Sequence, residues 1–174
     1  MAMSSIPTLQ TERLTLRALR EDDFDSVATF YESNDSAMYG GPCDRATAWR
    51  KFAVWFGHWE LRGYGPWAIE HAETREFIGW TGMWSPEGWP EPEITYALLT
   101  EHQGKGYATE AAARALRSAY EDFGWKTAVS VIDDRNTGSI ALVERLGATK
   151  ESAVDLFGQP AHVYRHGQPP QRGV

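Results

Sequence analysis

Alanine recurs along one side of the segment 106–122. Ala108, Ala111, Ala112, Ala115, Leu116, Ala119 and Tyr120, with Phe123 just beyond, keep the i, i+3, i+4, i+7 spacing of one helical face. Alanine favours the helix and carries almost no side chain, so a helix with this face can approach a sheet closely. An apolar stretch with strand character, 93–99 (EITYALL), ends shortly before it. Strand and helix together demand a layered α/β architecture.

The rest of the chain reads in the same way. Residues 12–19 alternate Leu14, Leu16 and Ala18 against Arg13, Thr15 and Arg17, which predicts a half-buried strand. Glu21-Asp22-Asp23 places acids at the positive end of a helix whose inward residues are Phe24, Val27, Ala28 and Tyr31. After the turn Tyr39-Gly40-Gly41-Pro42, Asp44 is placed to cap a second helix over 45–62, ended by Gly63. Strands are predicted near 65–70 and 77–84, and a buried one over 127–132. Asp133-Asp134-Arg135-Asn136 leads from that strand into a short helix stopped at Leu146-Gly147, and two strands near 148–154 and 161–165 finish the chain. One domain over 8–166 is expected, with 1–7 and 167–174 as flexible termini.

Bulk properties exclude several classes. A formal charge of −7 on 174 residues disfavours a nonspecific nucleic-acid binder, which needs cations to displace phosphate counterions, and is compatible with an amine-bearing partner. The longest apolar run, Phe52–Phe56, is far short of the roughly 20 residues that span a bilayer. The first thirteen residues lack the apolar core of a signal peptide. One cysteine, Cys43, cannot form an internal disulfide, and no Cys/His spacing suits a metal site. A cytoplasmic protein without nucleic-acid or membrane partners is expected.

The chemistry concentrates in Thr100-Glu101-His102-Gln103-Gly104-Lys105-Gly106-Tyr107-Ala108, between the apolar strand and the alanine-faced helix. Two glycines permit a tight turn with bare N–H groups, and the helix N-terminus behind them adds about half a positive charge, which suits a phosphate or pyrophosphate. A Walker A loop needs Ser or Thr after the lysine, where this chain has Gly106; a dinucleotide fingerprint needs a third glycine where it has Thr109. What remains is Gln-x-x-Gly-x-Ala, formed by Gln103, Gly106 and Ala108. This resembles the acyl-CoA pyrophosphate signature of the GNAT acyltransferase superfamily. The wording Gly-Lys-Gly-Tyr-Ala-Thr-Glu-Ala over 104–111 is similar to its branch of ribosomal-protein N-terminal acetyltransferases. Glu93-Ile94-Thr95-Tyr96, Asn136-x-x-Ser139 with Glu144-Arg145-Leu146-Gly147, Arg13-Leu14-x-Leu16-Arg17 and Gly40-Gly41-Pro42 extend the likeness over about 8–166.

The resemblance implies a GNAT fold of the α/β (α+β) class, with a mixed, mostly antiparallel sheet of six to seven strands and helices on both faces. It also implies an N-acetyltransferase moving an acetyl group from acetyl-CoA, without metal, directly to a primary amine on a small molecule or protein N-terminus. A homodimer is one assembly open to it, and a non-catalytic acyl-CoA-binding module is the alternative function. By the same resemblance, the strand before the loop splays from its neighbour at a bulge, so Leu98, Leu99 and Thr100 grip the pantetheine arm. Gln103, Gly104, Lys105, Gly106, Tyr107, Ala108 and Thr109 cradle the pyrophosphate, and Asn136 bonds the arm. Glu93 is the candidate general base, acting through water, with Glu70 as second candidate. Many relatives carry a tyrosine seven residues after the asparagine to protonate the leaving thiolate; this chain has Val143 there. Ser139 matches a serine used instead in the branch, and an alkyl thiol with a pKa of about 8.5 needs no strong acid. Cys43, His71 and His102 read as non-catalytic.

Seven of the eight tryptophans lie between Trp49 and Trp89. Trp49, Phe52, Phe56 and Trp59 recur on one side of the second predicted helix, Trp55 lies nearer another, and Trp80 and Trp84 share a strand face. Most are expected in the core. One or two of Trp55, Trp84 and Trp89 are expected to line the acceptor pocket or a dimer contact.

Overall fold

The computed structural model describes residues 6–168. The expected flexible ends lie mostly outside them, at 1–5 and 169–174. Eight strands form one sheet: β1 (Leu9–Gln10), β2 (Leu14–Arg17), β3 (Pro66–His71), β4 (Phe77–Trp84), β5 (Glu93–Leu98), β6 (Val129–Asp133), β7 (Thr149–Leu156) and β8 (Gln159–Arg165). Their order is β1-β2-β3-β4-β5-β6-β8-β7, and every neighbouring pair is antiparallel except β5 with β6. The expected six to seven strands become eight because β1 pairs two residues with β2, too few to show an alternating pattern in sequence.

Helices cover both faces. On one side, α3 (Tyr107–Glu121) sets Ala111, Ala112, Ala115 and Ala119, all fully buried, against Leu14, Leu16, Trp67, Ile69, Ile94 and Leu98 of the sheet. The alanine face does what its size allows. The short α4 (Thr137–Arg145), capped by Asn136 through Ser139 N–H, adds Leu142 and Val143 to that core. On the other side lie α1 (Phe24–Glu32) and α2 (Arg45–Arg62), over Ala68, Trp80, Ala97 and Leu99. Asp44 caps α2 through Thr47 N–H at 2.7 Å, and Gly63 at φ 74° ends it, both as predicted.

Two predicted faces are different. The inward residues of α2 are Ala48, Phe52, Trp55 and His58, while Trp49 and Phe56 are exposed. The helix docks on its small residue Ala48, which turns the larger Trp49 outward. Strand β2 is buried on both faces rather than one. Its Arg17 is matched by Asp23 at 2.8 Å and Glu70 at 2.6 Å, so the charge is paired inside the fold.

Candidate active site

The loop after β5 is a cradle of unused donors. Gly104 and Gly106 take φ 76° and 82°, a left-handed conformation that L side chains rarely adopt. Gly106 is the N-cap of α3 with no side chain capping it, and Glu110 N–H is the first to bond back, to the Gly106 carbonyl. Among the described hydrogen bonds, none uses the backbone N–H groups of Gly104 through Thr109. Their alignment with the α3 dipole suits an anion. Arg13, just before β2, fixes the loop: its guanidinium bonds Lys105 O at 3.0 Å and Glu110 at 2.7 Å, and stacks over Tyr107 at 4.7 Å. Gln103 Nε2 donates to Leu98 O at 3.1 Å, tying the loop to the end of β5. Lys105 Nζ lies on the Glu101 carbonyl at 3.0 Å, leaving its charge at the loop surface.

Beside the cradle the sheet opens. Strands β5 and β6 share only the pair Glu93↔Val129, with Ser130 Oγ donating to Ile94 O at 2.9 Å. Beyond that point they diverge, and the β6-facing backbone of Tyr96 and Leu98 loses its ladder partner. The expected splay is therefore present. The expected bulge is not on β5, whose register with β4 is unbroken; register shifts fall instead between Ile69 and Glu70 of β3 and between Lys150 and Ala153 of β7. Parallel pairing over one residue cannot hold two strands together, and a twisted sheet with side chains wedged between them separates.

A cavity of about 290 Å³ fills the opening. Tyr31, Trp55, Trp80, Trp84 and Trp89 line it, together with Glu93, Tyr96, Ser130, Asp133, Asn136 and Ser139. All three tryptophans singled out in the sequence reach it. Glu93 is buried. Trp89 Nε1 donates to its Oε2 at 2.5 Å and Val131 N–H to its Oε1 at 3.3 Å. Burial pushes the carboxyl up to about 8, against the pull of those two hydrogen bonds.

Asn136 and Ser139 stand on the opposite wall. The Asn136 side chain accepts the Ser139 N–H at 3.1 Å, so its capping role is realised. Two phenols missed in the sequence converge there. Tyr96 OH donates to Ser139 O at 3.3 Å, and Tyr39, from the 3-10 turn Asn34–Tyr39, lies against the side chains of Asn136 and Ser139. Burial raises both phenols. Val143 is fully buried in the α3 and α4 core, pointing away from this wall. No sequence spacing links Tyr39 to Ser139, because one hundred residues of chain separate them.

Other candidates fall elsewhere. Glu70 is held by Arg17 at 2.6 Å and Arg75 at 2.9 Å and does not line the cavity, so it is not the base. His71 packs on Tyr107, and His102 faces Glu76 at 3.5 Å. Cys43 does not line the cavity. Among the described residues, no cluster of His, Cys, Asp or Glu is arranged to hold a metal ion, and no helix is long and apolar enough to cross a membrane.

A mixed sheet opened between its two parallel strands, with a glycine-lined turn at the start of the next helix, is the architecture that the resemblance to acyltransferases implies. A family model described as Acetyltransferase (GNAT) domain matches residues 13–149. The chain belongs to this family and is an acetyltransferase. An uncharacterized N-acetyltransferase of Bacillus licheniformis, p20, is 30% identical, over 83% of each chain. The crystal structure of an acetyltransferase from Agrobacterium tumefaciens is 38% identical, with a TM-score of 0.88 over 95% of this chain and 96% of that one. The ribosomal L7/L12 alpha-N-protein acetyltransferase RimL, in complex with coenzyme A, has a TM-score of 0.74 over 92% and 97% of the two chains. At 19% identity that likeness shows a shared fold with the ribosomal-protein branch.

Proposed function

We propose that this enzyme transfers the acetyl group of acetyl-CoA directly to a primary amine, with Glu93 as the base. The observation that carries the reading is the placement of one desolvated carboxyl inside an aromatic cavity that opens at the split between β5 and β6. The coenzyme A bound by RimL, which shares the fold, supports the choice of cosubstrate. The donors of Gly104 through Thr109 would hold the pyrophosphate, with Lys105 beside it. Gln103 would brace the loop, and the β5 end at Leu98, Leu99 and Thr100 would hold the pantetheine arm together with Asn136.

Acetyl-CoA supplies an activated acyl carbon and a thiolate leaving group. The chain's residues manage protons and position. Glu93, once ionised, takes a proton from the acceptor ammonium or amine, directly or through one water, and the surrounding rings exclude bulk solvent. Ser139 and the adjacent Tyr39 phenol provide hydroxyl donors for the departing sulfur.

The test is free-thiol release from acetyl-CoA over a panel of amines and N-terminal peptides. Release with at least one acceptor, lost in Glu93→Gln while acetyl-CoA binding persists, is the expected result. Absence of release across the panel, with acetyl-CoA bound, overturns the reading and favours a binding module.

A further inference from the structure

Three ionisable acid or base side chains line the cavity: Lys51, Glu93 and Asp133. Both Asp133 oxygens are occupied by Arg135, at 2.9 and 2.6 Å. Both Glu93 oxygens accept the hydrogen bonds described above. Lys51 is different. It projects from α2 with Nζ 5.4 Å from the Tyr31 ring and 6.0 Å from the ring of Phe157, at the β7–β8 turn. No carboxylate or hydrogen-bond acceptor pairs with it among the described residues. The cavity thus has a carboxyl at one place, an unpartnered ammonium at another, and aromatic rings between.

From this arrangement we propose that the acceptor is an amine whose flat apolar body carries a carboxylate-type anion, with Lys51 binding the anion. The inference rests on the amine-acetylation reading above and names the substrate class of that same site. Each part of such a molecule meets its complement: the body stacks on the tryptophans, the amine lies near Glu93, and the anion pairs with Lys51. A polyamine fits poorly, because its second ammonium would meet Lys51 and no uncommitted carboxylate. The net charge of −7 does not oppose the assignment, since the protein's long-range field is screened over about 8 Å at physiological salt. Lys51 acts at contact, between aromatic rings, where a charge pair is stronger than in water.

The experiment compares tryptophan with tryptamine, and 4-(aminomethyl)benzoate with benzylamine, as acceptors in the thiol-release assay; the two pairs differ in amine-to-carboxylate distance. The carboxylate member of at least one pair should have a kcat/KM about tenfold higher, as one charge-assisted contact provides. Lys51→Met should remove that preference through KM, with acetyl-CoA affinity, measured by calorimetry, confirming that the variant is folded. Equal or better turnover of tryptamine and benzylamine, or spermidine as the best acceptor, overturns the inference while leaving amine acetylation intact. A preference that survives in Lys51→Met overturns the assignment to that residue. Absence of turnover for every amine overturns the underlying reading instead.

Discussion

Replacing Glu93 with glutamine separates the carboxyl's ionisation from its shape. The amide is nearly isosteric, and its oxygen can still accept from the Trp89 indole or Val131 N–H, but it carries no titrating proton. Burial moves the wild-type carboxyl from its ordinary 4.5 to about 8. Between those values the folded protein retains a proton that the unfolded chain has released. Wild-type stability must therefore fall as pH rises through that window. Each pH unit inside it removes about 1.4 kcal/mol, and the whole window about 5 kcal/mol. Relaxation or water entry on ionisation reduces the loss, so about 2 kcal/mol is the least that the burial argument predicts. Urea unfolding of both proteins at intervals from pH 5 to pH 9, without acetyl-CoA or acceptor, measures it. Glu93→Gln should come near the wild type at pH 5, gain on it steadily toward pH 8, and hold that advantage to pH 9. A stability difference that stays constant over that range refutes the desolvation on which the base assignment depends. The measurement is free of the acceptor's own ionisation, which shapes any pH profile of the rate.

Three further outcomes follow from the same geometry. Trp89→Phe deletes the indole donor that favours the ionised carboxylate, so the rise of kcat/KM with pH should move to higher pH; a profile that stays in place would remove Trp89 from the site. Glu70→Gln breaks the buried pair with Arg17 and the contact with the exposed Arg75, and should cost about 3 kcal/mol in urea unfolding, with the pH profile of the rate unaltered. Gly106→Val forces a branched side chain onto φ 82° with its Cβ 3.4 Å from the Arg13 guanidinium, and should weaken acetyl-CoA binding about tenfold by calorimetry while leaving acceptor KM unchanged.

The elements were largely legible in sequence because their signals are local. Asp44 and Gly63 bound α2 as capping chemistry requires, and the glycines before the alanine-faced helix take the left-handed turn that their lack of a side chain permits. Faces were less legible. The tryptophan spacing in 45–62 suggests an inward Trp49, yet Ala48 makes the close contact and Trp49 stays outside. Periodicity gives a stripe its angular width, but the partner surface selects which edge of the stripe docks. Strand β2 likewise reads as half-exposed until Asp23 and Glu70, from other elements, meet Arg17.

By itself, then, the sequence determines a layered α/β fold, a glycine-bearing turn at Gln103 to Thr109 that opens the alanine-faced helix, and the place of Glu93 at the start of the strand that leads to it. These depend on backbone conformation, capping and short-range periodicity, which the chain specifies within a few residues. Only the tertiary structure decides that Glu93 is buried under Trp89, that Tyr39 reaches Ser139, and that Lys51 lacks a partner among aromatic rings. Tyr39 and Ser139, like Lys51 and Phe157, are about a hundred positions apart in the chain, and even the neighbours Trp89 and Glu93 become buried together only once the sheet has closed around them.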